Sequence, residues 1–171
     1  MNPTIIPFGL PADTPVLTPR GPVVAGMLAP GAVVLAVSGV AAPFRPLVAL
    51  ERVSLATPLV RIRANALADG APQDDLLLPP AQALLIDGAL VAAGELVDGQ
   101  GILAEPAMAA VDLVRLVLEA HDAVLAAGAA VETASPDPAE APCAPRRAPD
   151  ATLRALLAWR AEAMGWAAPA A

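Results

Sequence analysis

The sequence predicts an all-β domain, followed by a proline-rich linker and a C-terminal helix. Three Asp-Gly pairs are typical of tight hairpin turns, because both residue types tolerate a positive φ: Asp69-Gly70, Asp87-Gly88 and Asp98-Gly99. Short apolar runs lie between and around these pairs, a spacing that favours many short strands over long amphipathic helices. A capped helical pattern appears only near the C-terminus, after a segment rich in proline.

The strands predicted in the middle of the chain are short. Residues 59–63 largely alternate between aliphatic and arginine side chains, as expected of a half-buried strand. Short, largely apolar runs predict further strands at residues 76–78, 83–86, 89–91 and 95–97. Residues 107–120 stay open, because their Ala, Leu, Met and Glu content favours a helix while their aliphatic side chains also fit a buried strand.

An uncharged run at residues 21–44 has the length and polarity of a membrane span. Pro22, Pro30 and Pro43 interrupt it, and the central Pro30-Gly31 pair is typical of a tight turn. We therefore expect a turn between two short strands at residues 23–24 and 33–37. A membrane-associated protein that uses the whole run is the alternative.

The C-terminal part of the chain changes character at residue 136. Five prolines predict a linker at residues 136–149, and Asp150 is a suitable N-cap for a helix at residues 151–164. We expect this helix to pack back on the domain, while its use as a docking surface for a protein partner is the alternative. The predicted organisation is a short lead (1–8), the β domain (9–135), the linker (136–149), and the helix with its tail (150–171).

Composition excludes several classes of function. The formal net charge is −7 and the only cluster of basic residues is Arg146-Arg147, so nucleic-acid binding is not expected. The chain has no lysine, which excludes Schiff-base chemistry, and a single histidine and a single cysteine do not make a Cys/His zinc site. We predict no cofactor and no metal; the sequence leaves the oligomeric state open.

The first nine residues carry no basic stretch and no long apolar stretch. A signal peptide is therefore not expected, and the cytoplasm is the default location.

Five blocks, taken in order, resemble the bacterial Hint family of hedgehog/intein-like autoprocessing domains. The second block, at residues 28–35, matches the family's Leu-x-Pro-Gly-Asp-x-Val-Leu pattern, with Ala32 in place of the acidic residue. The resemblance extends from Gly9 to Ser135, and it implies a horseshoe of curved strands in which residues 107–120 contribute a strand. The other four blocks lie at residues 9–21, 58–64, 75–88 and 118–128.

The resemblance also implies a chemistry, an N-to-S acyl shift in which a cysteine attacks the carbonyl of the preceding peptide bond and a histidine assists the leaving nitrogen. Gly9 stands at the position of the nucleophile, and Gln82 stands at the position of the histidine. His121 matches a late-block histidine, and Asp13 and Thr14 match the first block. We interpret these last three as structural groups, and Cys143 as a free surface cysteine in the linker.

Three hypotheses for function follow. The first is a Hint domain that has lost self-cleavage and acts as a structural or binding module, a pseudoenzyme of the family. The second is residual self-processing through an unrecognised group. The third is the membrane-associated protein described above. Because function depends on the site more than on the fold, the replacements at Gly9 and Gln82 favour the first.

Overall fold

Short β-strands are the main regular structure of the chain, and the computed structural model describes residues 6–39 and 43–167. The fourteen strands are β1 (Leu10–Pro11), β2 (Pro15–Thr18), β3 (Gly21–Val24), β4 (Val33–Leu35), β5 (Phe44–Pro46), β6 (Ala49–Ala56), β7 (Leu59–Ile62), β8 (Leu76–Leu78), β9 (Ala83–Ile86), β10 (Ala89–Ala92), β11 (Ile102–Glu105), β12 (Ala110–Val117), β13 (Ala123–Ala126) and β14 (Ala129–Glu132). In the described residues one α-helix, α1 (Ala151–Ala163), follows them. The predicted all-β class with a C-terminal helix is confirmed.

Parts of three predicted segments lie outside the described residues. These are residues 1–5 of the lead, residues 40–42 of the uncharged run and residues 168–171 of the tail.

The strands form antiparallel ladders that join distant parts of the chain. A six-stranded sheet has the order β10-β9-β14-β13-β2-β3, and three-stranded sheets have the orders β1-β12-β6 and β11-β7-β8. Strands β4 and β5 form a two-stranded sheet. The core between the sheets consists mainly of Leu, Val and Ala side chains, as the scarcity of aromatic residues requires.

Two hairpin turns have positive φ at both central residues. Between β9 and β10, φ is 49° at Asp87 and 74° at Gly88, which confirms the turn predicted from this Asp-Gly pair. Between β13 and β14, φ is 49° at Ala127 and 84° at Gly128. This second turn was not predicted, because alanine does not favour a positive φ.

The open segment at residues 107–120 contains strand β12. All eight of its residues pair with β6, from Ala110 opposite Ala56 to Val117 opposite Ala49. Leu113, Val114 and Leu116 are buried. Tertiary pairing and burial therefore override the helix propensity of this composition.

The uncharged run forms two strands, but the expected pairing between them is wrong. The expected tight turn does occur at Pro30-Gly31. Ala32 N–H donates to the carbonyl of Ala29, and Gly31 has a φ of 89°, as the third residue of a type II turn requires. However, β3 pairs with β2 and β4 pairs with β5. A 3-10 turn at Ala25–Met27 separates β3 from β4, and its Ala25 N–H donates to the carbonyl of Thr14.

No helix within residues 6–39 and 43–167 has both the length and the hydrophobicity to cross a membrane.

The strand predicted at residues 95–97 is also wrong, because Ala93–Leu96 forms a 3-10 helix. The N–H groups of Ala93 and Gly94 donate to the carbonyls of Gln82 and Pro80, which turns the chain immediately after β10. A Cβ atom on Gly94 would lie 3.0 Å from the Cβ of Pro80, so the two segments approach closely here. This close approach determines the turn, and Leu96 is buried by it.

Helix α1 begins where the sequence predicts and packs back on the domain. The Asp150 side chain accepts a hydrogen bond from Leu153 N–H, and φ of Gly165 is 75° at the other end. Leu153 and Leu157 join the hydrophobic core. Leu156 and Met164 are each 42% exposed.

Candidate functional site

The peptide bond between Phe8 and Gly9 lies at the centre of the candidate site. The buried Gly9 N–H donates to Oε1 of Gln82 at 2.9 Å, although the two residues are 73 positions apart. On the other side of the bond, Nε of Arg115 donates to the carbonyl of Phe8 at 3.1 Å. The structure therefore brings together the two positions that the resemblance assigns to nucleophile and histidine.

Gln82 is fully buried, and its orientation follows from its hydrogen bonds. Its Nε2 group donates to the carbonyls of Ala83 at 3.2 Å and Glu132 at 2.9 Å, so Oε1 must face Gly9. Both amide hydrogens are thus used by backbone carbonyls. Gln82 accepts a hydrogen bond from the Gly9 nitrogen, and it has no proton to give to that nitrogen.

Gly9 has a backbone conformation that suits glycine. Its φ is 126°, and a Cβ atom added there would lie 3.0 Å from the carbonyl oxygen of Val114 and 3.2 Å from Cγ of Arg115. A side chain at this position would therefore be strained and crowded. The backbone and its surroundings at position 9 therefore favour a residue without a side chain.

His121 is buried and has a partner on each ring nitrogen. Its Nε2 lies 2.9 Å from Oε1 of Glu132, and its Nδ1 accepts a hydrogen bond of 2.8 Å from Cys143 N–H. Because Nδ1 is an acceptor, this network assigns the imidazole proton to Nε2, which donates to Glu132. The side chain of the neighbouring Asp122 accepts a hydrogen bond from Ser38 N–H.

Glu132 joins this histidine to an arginine from the C-terminal segment. Its carboxylate, only 2% exposed, accepts hydrogen bonds from both terminal nitrogens of Arg146, one of them at 3.2 Å from Nη1 to Oε2. These hydrogen bonds raise the pKa of Arg146 above its ordinary value. Sequence reasoning missed Glu132. The available signal was an acidic residue at the end of an otherwise apolar strand, Ala129–Glu132.

A cavity of about 300 Å³ opens between these groups. Phe8, whose carbonyl belongs to the central peptide bond, lines it together with His121 and Glu132. The rest of the lining comes from Thr133 and Ser135 and from the segment predicted as a linker: Pro138, Glu140, Pro142 and Arg146. That segment therefore covers the site.

Cys143 is not the exposed cysteine that the sequence predicted. It is half-buried, and its backbone contacts His121, which lies 22 positions earlier in the chain. Burial raises the pKa of its thiol, and the negative charge of Asp122 adds to this effect, while a hydrogen bond with the Ser38 side chain acts in the opposite direction. A raised pKa disfavours the thiolate, so Cys143 does not have the character of a nucleophile.

We expect iodoacetamide to alkylate Cys143 in the folded chain several-fold more slowly than free cysteine at pH 8. The raised pKa lowers the thiolate fraction at this pH, so the rate should keep rising at alkaline pH where free cysteine has levelled off. Mass spectrometry of the alkylated chain measures the rate, and the chain unfolded in urea is the control. Equal rates for the folded and unfolded chains would contradict the half-buried position.

The first-block residues lie away from this cavity. Asp13 is exposed and lines a separate apolar groove of about 720 Å³ with Met27, Arg52 and Asp112. Thr14 is buried, and its carbonyl accepts a hydrogen bond from Ala25 N–H. The structure thus joins Gly9, Gln82 and His121 around one site but does not bring Asp13 to it.

The part of the chain that the structure describes contains no group of three or more His, Cys, Asp or Glu side chains that would hold a metal ion.

Comparisons with solved structures identify similar folds. The MchDnaB-1 intein is 17% identical, with a TM-score of 0.53 over 74% of this chain and all of that one. A bacterial intein-like domain from Clostridium thermocellum is 15% identical, with a TM-score of 0.55 over 73% of this chain and 97% of that one. The gp41-1 intein is 12% identical, with a TM-score of 0.54 over 72% and 96%. These likenesses confirm the expected Hint-type fold.

Comparison with curated proteins found no match. The family model of the Hint domain, however, matches residues 8–138, which is most of the chain and includes Gly9, Gln82 and His121. This chain therefore belongs to the Hint domain family.

Proposed function

We propose that this chain is a Hint domain that does not cleave itself and that acts as a structural or binding module. The observation that carries the proposal is the hydrogen bond between Gly9 and Gln82. The Gln82 side chain accepts this bond from the Gly9 nitrogen, which is the leaving group in the family's reaction. In the acyl shift implied by the family, a thiol attacks the carbonyl carbon of residue 8, the bond to the nitrogen of residue 9 breaks, and that nitrogen gains a proton.

Neither reacting group is available for this step. Gly9 has no side chain to attack the carbonyl carbon of Phe8, and both hydrogens of the Gln82 amide are held by backbone carbonyls. His121 does not replace Gln82, because its only ring proton is directed at Glu132. Cys143 does not replace the missing thiol, since burial raises its pKa.

One part of the site remains suited to the reaction. Arg115 donates to the carbonyl oxygen of Phe8, where it would stabilise negative charge during an attack. The fold around the peptide bond is also complete, with Gly9 buried between Gln82 and β12. Retention of the architecture without the reacting groups supports a role in structure or binding.

We expect a fusion of a small protein upstream of Phe8 to stay intact. The fusion is incubated for a day at neutral pH, with and without a strong thiol or hydroxylamine, and its intact mass is measured. The expected result is a single species of full mass under all conditions. A fragment that begins at Gly9 would instead establish residual self-processing and overturn the proposal.

The double variant Gly9→Cys, Gln82→His tests whether only the reacting groups are missing. Because Gly9 has a positive φ and a Cβ there would crowd Val114, its folding is first checked by thermal unfolding. Cleavage before position 9 in the folded variant would locate the loss of activity in these two residues. A folded variant that stays whole would show that the changed backbone at position 9 also blocks the reaction.

A further inference from the structure

Residues 142–147, which we call the strap, run along the edge of the six-stranded sheet and form one isolated β-bridge with it. Leu90 N–H donates to the carbonyl of Pro145 at 2.8 Å, and Arg147 N–H donates to the carbonyl of Leu90 at 3.0 Å. Leu90 and Arg146 thereby form a parallel bridge on β10, the outermost strand of that sheet. This is the way in which an extended peptide binds to an exposed sheet edge.

Two further contacts fix the strap beside the candidate site. The guanidinium of Arg146 binds the buried carboxylate of Glu132 through two hydrogen bonds, and Cys143 N–H donates to His121. Such two-point binding of a planar guanidinium by a carboxylate is specific in geometry as well as favourable. The strap is therefore recognised through its backbone and through one arginine.

The strap fills its groove incompletely. A cavity of about 300 Å³ lies on the His121 side, and a second of about 290 Å³ lies against Leu90 and Arg147. The strap residues Pro142, Pro145, Arg146 and Arg147 are exposed. A segment with so little buried surface contributes few apolar contacts, and its hold depends on the contacts named above.

The chain on either side of the strap is held independently. Ala134 N–H donates to the carbonyl of Leu116 before the strap, and α1 buries Leu153 and Leu157 in the core after it. The strap can therefore leave its groove as a loop while both flanking segments keep their contacts.

We propose that the groove beneath the strap is a peptide-binding site, which takes an extended, arginine-bearing segment of a partner protein when the strap leaves. The inference deepens the proposed binding role and rests on it. In this interpretation the strap is the intramolecular occupant that competes with the partner.

The need for arginine follows from burial. Without Arg146, the carboxylate of Glu132 would keep only the neutral His121 as a side-chain partner, and an unpaired buried charge is unfavourable. A partner segment therefore has to supply a guanidinium. The acidic chain, with 17 acidic and 10 basic residues, also favours a basic partner. Prolines like those of the strap hold such a segment extended before it binds.

The test uses the full chain and a synthetic peptide with the sequence of residues 141–149, in which serine replaces Cys143. A tethered strap competes at an effective concentration of about 1 mM, so the wild-type chain should bind the peptide weakly. The Arg146→Ala chain loses the anchor of the competing strap and should bind the peptide at least about tenfold more tightly. Fluorescence anisotropy of the labelled peptide measures both affinities.

Two peptides of equal charge separate recognition from nonspecific attraction. A peptide with the Arg146→Ala change should bind the Arg146→Ala chain at least about tenfold more weakly than the parent, because its guanidinium is missing. A peptide with the Arg147→Ala change keeps the anchor and should bind like the parent. Equal affinities of the two changed peptides, or no binding of the parent to the folded variant chain, would overturn the inference.

A second measurement does not depend on the variant chain. Excess parent peptide should accelerate alkylation of Cys143 in the wild-type chain, because the released strap exposes this thiol, whereas the peptide changed at Arg146 should not. Equal alkylation rates with the two peptides would contradict displacement. Both measurements record binding, so their failure is distinct from cleavage of the upstream fusion, which contradicts only the proposed loss of self-processing.

Discussion

Gly128→Ala is expected to lower the free energy of unfolding by about 3–5 kcal/mol. Gly128 has a φ of 84°, and a Cβ atom there would lie 2.4 Å from the backbone carbonyl oxygen of Gly70 and 2.8 Å from Cγ of Gln73. An alanine therefore combines backbone strain with a clash against another loop, whose backbone has to move. Urea unfolding followed by circular dichroism measures the change.

Gly88→Ala is the matched control for backbone strain without the clash. Its φ of 74° is similar, but no heavy atom lies within 4 Å of an added Cβ. We expect this variant to lose about 1–2 kcal/mol, the cost of a left-handed conformation alone. Equal stability of the Gly128→Ala and Gly88→Ala variants would contradict the close packing of the β13–β14 turn against Gly70.

Gln82→Leu is expected to lower the free energy of unfolding by about 3–5 kcal/mol, since it leaves three backbone groups without their partner at about 1–3 kcal/mol each. These groups are the N–H of Gly9 and the carbonyls of Ala83 and Glu132. Leucine has a similar volume, so the effect isolates lost hydrogen bonds from lost packing. Urea unfolding again gives the measurement.

Gln73→Leu provides the comparison at an exposed position. A surface substitution of this kind is expected to change the stability by no more than about 0.5 kcal/mol. If Gln82→Leu lowered the free energy of unfolding no more than Gln73→Leu does, Gln82 would not hold the Phe8–Gly9 bond in place. The result would then remove the main support for the proposed function.

Local chemistry made part of the fold predictable. The turn at Asp87-Gly88 and the cap at Asp150 depend on residues next to each other in sequence, so short patterns predicted them. The partners of β3 and β4 depend on which distant strand each one meets. A run of apolar residues carries no information on that choice, and this is why the predicted pairing around Pro30-Gly31 was wrong.

The candidate site was predictable only where the family resemblance extends. The order of the blocks aligned Gly9 with the family's nucleophile and Gln82 with its histidine. The structure brings these two residues into contact. The contact of His121 with Glu132 spans 11 positions and depends on the pairing of β13 with β14, and its contact with Cys143 spans 22 positions and depends on the path of the strap. Proline content indicates that such a segment is extended, but it does not indicate the surface along which the segment lies.

Phe8 and the strap line the same cavity, and this shared wall links the two ends of the domain thermodynamically. If the groove binds a peptide as proposed, a segment that extends from Phe8 into this cavity would change the free energy of placing that peptide in the neighbouring groove. By reciprocity, a bound peptide changes the equilibrium position of the attached segment by the same free energy. If both proposals hold, the domain transmits a signal to the sequence before Gly9 through mutual exclusion in one cavity, without cleavage.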